Sequence, residues 1–307
     1  MTVGAAELAL EEWPARRSIR MWDGVVSVLA WEAAQARAPG LHFAHANGFN
    51  ALTYRSLFDE LALDMRIYAS DLRGHGQTTL AANPKGMRSW NIYRDDILRT
   101  LDELDGRPKI LAGHSLGATA SLMAAFAKPN LVTGLILVEP VILPRKYLRW
   151  MWMMKALPFI DHLFPIVSQA KQRRGVWSSR EAMFDAYRGR GAFRTWPEDV
   201  VRDYITGGTV DYIDYRQARL ACTPGWEAAN YRAGPPDVWR ELGNLKIPIT
   251  LIVGEKRSTC PQAVIDLLLQ KQPGMRVVRL PDACHFLPME FPGAVRQEIR
   301  SMAKLPG

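Results

Sequence analysis

Ser115 is the residue of this chain best placed to act as a nucleophile. It stands at the centre of Gly113-His114-Ser115-Leu116-Gly117, a G-x-S-x-G pentapeptide. A bare copy of that pattern recurs by chance, so its flanks carry the weight. Residues 109–112 end in a short apolar run, long enough for a buried strand. Residues 118–128 are rich in Ala, Leu and Met, with Leu122 and Phe126 four apart, which is a helix pattern. A strand, a tight turn and a helix with serine at the apex hold the hydroxyl out on a strained backbone. Gly113 and Gly117 leave room for strand and helix to approach each other. The helix amino terminus aims unpaired N–H groups and a positive dipole end at the space beside Ser115.

A serine hydroxyl is a poor nucleophile at neutral pH and needs a base. There are six histidines: His42, His45, His75, His114, His162 and His285. His114 adjoins the nucleophile, but successive residues at a turn point apart. His42 and His45 belong to a strand and its exit, where hydrogen-bonded packing is expected. His75 lies in a Gly-rich loop. His162 falls in the middle third of the chain. His285 follows the last apolar run, in a loop bounded by Pro281 and Pro288.

These groups need elements to position them. Residues 18–22 and 25–31 flank Asp23-Gly24 and read as a hairpin. Apolar runs at 41–44 and 65–69 read as strands, with a helical stretch around 54–63 between them. Residues 90–104 form an amphipathic helix, with Ile92, Ile97, Leu101 and Leu104 on one face. Residues 131–138 are almost wholly apolar, as a strand buried on both faces should be. Strands alternating with helices imply an α/β fold with a mostly parallel sheet. The alternation then stops: residues 141–244 show helical fragments and no clear strands. It resumes with strands at 249–253 and 275–280 and helices at 261–270 and 291–304. The reading is one core domain, residues 1–140 and 245–307, interrupted by a helical insertion at 141–244.

Composition bounds the classes. The chain has 307 residues, 48% of them hydrophobic, enough for a large core. The net charge is +8, but the basic residues are dispersed and form no basic-aromatic array, so no nucleic-acid partner is expected. Cys222, Cys260 and Cys284 are an odd, sparse set without metal-ligand spacing. They read as reduced thiols of a cytoplasmic protein, with no metal or cofactor implied. The amino terminus carries acidic residues and no signal-peptide pattern. The most apolar window, residues 150–167, is broken by Lys155, Pro158, Asp161 and Pro165, so no transmembrane segment is expected.

Four landmarks in order resemble the α/β-hydrolase family: HANGF after the third strand, DLRGHG after the fourth, GHSLG after the fifth and ACHFLPMEFP after the eighth. The resemblance covers the chain outside the insertion. It implies an α/β-hydrolase fold with a helical cap after the sixth strand. The family's order of nucleophile, acid and histidine makes His285 the base. Its usual acid follows the seventh strand, but there Gly254-Glu255-Lys256-Arg257 puts arginine where Asp is expected. A second route in the family places the acid after the sixth strand, which here is Glu139. A carboxylate there is costly to bury unpaired. Pairing with an arginine of the insertion is the other use for Glu139. Glu255 and Asp282 are the remaining candidates for the acid. The resemblance also puts the oxyanion donors at the N–H groups of Leu116 and Asn47, with Ala46 in the usual glycine position.

Trp150, Trp152, Met153 and Phe159, with neighbouring Met and Phe residues, form an apolar cluster in the insertion. It serves either as cap packing or as a substrate wall. The expected activity is cleavage of a small apolar carboxylic ester through an acyl-enzyme. A serine nucleophile equally fits carbon–carbon bond hydrolases, lactonases and cofactor-free perhydrolases of the family. A ligand receptor on the same scaffold is the non-enzymatic alternative.

Overall fold

The computed structural model describes residues 14–32, 38–107, 109–154, 164–212 and 217–304. Its strands, in chain order, are β1 (Ala15–Met21), β2 (Gly24–Trp31), β3 (Gly40–Ala44), β4 (Arg66–Ser70), β5 (Lys109–His114) and β6 (Val132–Val138). There follow β7 (Val176–Trp177), β8 (Thr209–Tyr212), β9 (Gln217–Leu220), β10 (Ile249–Gly254) and β11 (Arg276–Leu280). The helices of the first half are α1 (Arg55–Phe58), α2 (Asn91–Leu104) and α3 (Leu116–Ala127). Between β6 and β10 come α4 (Arg145–Met154), α5 (Pro165–Gln172), α6 (Arg180–Tyr187), α7 (Glu198–Gly208) and α8 (Pro224–Ala233). The last three are α9 (Gln262–Lys271), α10 (Leu287–Glu290) and α11 (Pro292–Ala303).

Eight strands make one sheet in the order β1-β2-β4-β3-β5-β6-β10-β11. β1 and β2 form the hairpin around Asp23-Gly24, with Ile19 opposite Val26. β2 pairs antiparallel with β4, and every later pair is parallel. β3, β5 and β10 are buried along their whole length, which explains their largely apolar spelling. One face packs Tyr93, Ile97, Leu122, Ile265 and Leu268 from α2, α3 and α9. The other packs Phe58, Val295 and Ile299 from α1 and α11 against Phe43, Ile136 and Ile252. Strand order reverses between β3 and β5, and in open sheets such a switch point opens a crevice at the carboxyl ends. Asn47 leaves β3 and Ser115 leaves β5 at that crevice.

Two local expectations change. The helix expected around residues 54–63 is instead a short turn at Ala51–Tyr54, α1 and another turn at Leu61–Leu63. The segment between β6 and β10 is not purely helical either. It holds a three-stranded antiparallel sheet ordered β7-β9-β8, with Thr209 opposite Leu220 and Tyr212 opposite Gln217. Strands of two to four residues are too short for an alternating pattern to show in the sequence. Among the described residues, no helix is long and apolar enough to cross a membrane. Cys222, Cys260 and Cys284 are all unpaired.

Candidate active site

Ser115 follows β5 with φ 56° and ψ −118°, a left-handed conformation that a non-glycine residue adopts at a cost of about 1–3 kcal/mol. Its N–H donates to the Val138 carbonyl at 2.9 Å, which ties the turn to β6. Both flanking glycines are required by space. A Cβ on Gly117 would lie 2.1 Å from the Ala44 oxygen, and one on Gly113 would lie 2.5 Å from the Gly117 carbonyl carbon. The first contact seats α3 directly against the exit of β3. The Ser115 hydroxyl donates to and accepts from none of the described residues.

Glu139 repeats the device one strand over. It follows β6 with φ 48°, and its N–H donates to the Ile252 carbonyl on β10 at 2.9 Å. Its side chain is 0% exposed. Oε1 accepts from the Gly254 N–H at 2.7 Å and the Ser258 hydroxyl at 2.8 Å. Oε2 accepts from the Thr259 N–H at 2.8 Å, the Thr259 hydroxyl at 3.0 Å and His285 Nδ1 at 3.2 Å. Burial alone would raise its pKa. The bonds from His285 and from the Gly254, Thr259 and Ser258 donors outweigh burial and hold it at about 2. The carboxylate therefore fixes the proton of His285 on Nδ1 and leaves Nε2 with a lone pair.

The other two carboxylates are elsewhere. Asp282 is 78% exposed and bonded to Lys256 at 2.6 Å, and Glu255 and Arg257 are exposed too. Ser258 and Thr259, which the sequence reading passed over, occupy the loop after β10 and supply hydroxyl donors to Glu139. Two hydroxyl residues just beyond the position of the missing acid were the available signal.

Four histidines are buried, and three of them, His114, His45 and His75, frame the site in legible tautomers. His114 Nε2–H donates to the His285 carbonyl at 2.7 Å, so its Nδ1 accepts from the Tyr54 hydroxyl at 2.8 Å. Tyr54 in turn accepts from the Ala46 N–H at 3.2 Å. His45 Nδ1–H donates to the Ala46 carbonyl at 2.8 Å while Nε2 accepts from the Leu72 N–H at 2.9 Å. His75 Nδ1–H donates to the Arg73 carbonyl at 2.9 Å, and Nε2 accepts from the Gly48 N–H at 3.0 Å. The amides on either side of Asn47 are thus engaged, whereas its own N–H has no acceptor among the described residues. Leu116 opens α3, so its N–H has no intrahelical partner. The Asn47 side chain points away into α8: Nδ2 donates to the Glu227 carbonyl at 3.1 Å and Oδ1 accepts from Asn230 at 2.8 Å.

That burial makes a prediction. It lowers His42, His75 and His114 to about 3 and His45 to about 4, from an ordinary 6.5. The unfolded chain binds these protons near pH 6.5 and the folded chain refuses them until far lower. Stability is therefore complete above pH 6.5 and falls as pH drops below it. At pH 5.5 the loss is about 1 kcal/mol per histidine, or on the order of 5 kcal/mol for four. Buried Asp71, Asp96 and Asp203, whose pKa values burial raises, offset part of this. The urea midpoint should fall sharply between pH 7.5 and pH 5.5; a flat profile over that range would refute the neutral-histidine frame.

A cavity of about 550 Å³ lies against Asn47 and against Phe286, the neighbour of His285. Phe49, Trp177, Tyr187, Phe193 and Tyr204 form aromatic walls, and Arg173, Arg174 and Glu227 add charge. Of the apolar cluster expected to line such a cavity, Trp150 and Met153 do not. Trp150 is 49% exposed and Met153 67% exposed, with Met153 on a separate surface cavity beside Arg145 and Asp237. The Trp152 side chain and Phe159 lie outside the described residues. α4 carries Trp150 and Met153 on its outward side, a direction that composition does not reveal.

A mostly parallel sheet whose fifth strand enters a helix through a strained serine, with a carboxylate just past β6 bonded to a histidine from the loop after β11, defines an α/β-hydrolase fold. The chain belongs to the alpha/beta hydrolase family, whose sequence profile matches residues 43–298. Rat (Rattus norvegicus) monoglyceride lipase is 27% identical over 139 residues, 42% of this chain and 45% of that protein. The human enzyme is 23% identical over 162 residues, 51% and 53% of the two, so the matches span about half the length of these lipases. The 2-(acetamidomethylene)succinate hydrolase of Mesorhizobium japonicum is 25% identical over 251 residues, 81% of this chain and 82% of that protein. A crystal structure of E-2-(acetamidomethylene)succinate hydrolase superposes with a TM-score of 0.78 at 21% identity, covering 95% of this chain and all of that one.

Proposed function

We propose that this chain is a serine hydrolase that cleaves carboxylic esters through an acyl-enzyme on Ser115. The observation that carries this reading is the bond from His285 Nδ1 to a buried, ionised Glu139 at 3.2 Å. It leaves Nε2 as the basic nitrogen on the residue that the family's order pairs with Ser115. In the first half-reaction the Ser115 oxygen attacks the ester carbonyl carbon while His285 takes its proton. The carbonyl oxygen becomes an oxyanion and takes hydrogen bonds from the Leu116 and Asn47 amides. His285 then gives the proton to the departing alcohol. In the second, His285 deprotonates water, which displaces the acyl group and restores Ser115. Glu139 stays ionised and stabilises the imidazolium as it forms. The segment at residues 141–244 acts in this reading as a cap that walls the substrate.

The relatives support the class of reaction, since a monoglyceride lipase and a 2-(acetamidomethylene)succinate hydrolase are both hydrolases. A fluorophosphonate probe tests the reading. It should add to the native protein at one site, and peptide mapping should place the adduct on Ser115. Labelling elsewhere, or none with a folded protein, would end the serine-hydrolase assignment. A panel of p-nitrophenyl esters, lactones and vinylogous diketones then separates esterase from the neighbouring chemistries.

A further inference from the structure

The cavity beside Asn47 has aromatic walls and charged lining residues, among them Arg173, the residue that follows α5. Its Nη1 donates to Glu227 Oε2 at 2.8 Å, and its Nη2 donates to the hydroxyls of Tyr204 and, at 3.5 Å, Tyr187. A guanidinium has five N–H groups. Among the described residues, Nε–H and one N–H of Nη1 make no hydrogen bond, although the Arg173 side chain is only 21% exposed. The charged lining residues are Arg173, Arg174 and Glu227, which leave one net positive charge facing the cavity.

We propose that this cavity receives a substrate carrying a carboxylate remote from its scissile carbonyl, held by Arg173. This rests on the serine-hydrolase reading of the site and names its substrate class. One net positive charge matches a monoanion, and the Glu227 carboxylate would repel a dianionic phosphate. The planar guanidinium suits carboxylate oxygens, and the hydroxyls of Tyr204 and Tyr187 hold its plane. The same residues reach the oxyanion loop. Tyr204 donates to the Gly48 carbonyl at 3.1 Å, and the Glu227 main chain holds the Asn47 side chain at 3.1 Å. Occupying Arg173 therefore acts one hydroxyl away from the loop whose Asn47 amide faces the reacting carbonyl.

The test compares mono-p-nitrophenyl adipate with its methyl ester, which differ in one charge at the same chain length. The native protein should show kcat/KM about tenfold or more higher for the free acid, with the difference in KM. Glu227→Gln should widen that ratio by removing the negative charge that competes for the guanidinium. The double change Arg173→Gln with Glu227→Gln, which leaves no buried charge unpaired, should bring the ratio to about one. A native ratio at or below one, or a preference retained by the double variant, would overturn the proposal. Calorimetric binding of adipate to the Ser115→Ala protein separates the two readings. Adipate that binds through Arg173 without any ester turnover would sink the serine-hydrolase reading alone. Turnover of both esters without preference, and no adipate binding, would sink the carboxylate site alone.

Discussion

Ser115→Ala should lower kcat/KM for activated esters by roughly 10⁴–10⁶-fold while leaving the fold intact. The size follows from the chemistry, because without the oxygen there is no acyl-enzyme and only the oxyanion donors and binding remain. The neutrality towards folding follows from the geometry. The Ser115 hydroxyl makes no hydrogen bond among the described residues, so its removal breaks none. Alanine keeps the Cβ, and the main-chain bond from residue 115 to Val138 survives. Ser115→Gly is the informative companion. At φ 56° serine carries backbone strain that glycine does not, so the glycine variant should be equally inactive but more stable by about 1 kcal/mol. An alanine variant with near-parental turnover would remove Ser115 from the chemistry. A glycine variant no more stable than alanine would mean that the elbow stores no strain worth counting.

Much of this arrangement is written in short-range spelling. β10 reads Ile-Thr-Leu-Ile-Val-Gly because every one of its residues is buried between helices, and buried parallel strands announce themselves in that way. Ser115 is legible because two glycines must flank it: the Gly117 Cβ position is already filled by the Ala44 carbonyl. Glu139 is picked out by the family resemblance, which offers the end of the sixth strand as a second route when Arg257 stands where the usual acid would. What the sequence hides is direction. α4 spells Trp-Met-Trp-Met-Met, which reads as a pocket wall, yet Trp150 and Met153 face outward. The residues that do line the cavity, Arg173 and Glu227, lie 54 positions apart on separate elements. Nothing in the spacing of either announces the other. Ser258 and Thr259 are hidden for the same reason, because their partner is 119 and 120 residues away. The three strands between β6 and β10 are too short to leave a period at all.

Glu139→Gln should cost both rate and stability, and the way it does so follows from the five donors around the carboxylate. Both oxygens accept only. Gly254 N–H and the Ser258 hydroxyl face one, and Thr259 N–H, the Thr259 hydroxyl and His285 Nδ1 face the other. A glutamine must turn its NH₂ towards one of these sets. Either choice points a donor at a backbone N–H and leaves that group unpaired in a dry site, at about 1–3 kcal/mol. With the NH₂ on the Oε2 side, the His285 proton has no acceptor, so the imidazole shifts to the tautomer that cannot receive the Ser115 proton. A fall in kcat of about 10³–10⁴-fold is expected, with KM little changed.

The charge itself also holds the fold. A carboxyl at about 2 in the folded chain against an ordinary 4.5 contributes on the order of 3 kcal/mol. That contribution is complete above pH 4.5 and is lost as pH falls towards 2, so at neutral pH the glutamine variant forfeits it. A thermal midpoint several degrees lower should accompany the slower turnover. Glu255→Gln and Asp282→Asn change exposed residues, and neither should alter kcat more than about twofold. If Asp282→Asn rather than Glu139→Gln abolished turnover, the acid would have to be sought in the loop after β11, and the strained turn at Glu139 would be left with a purely structural role.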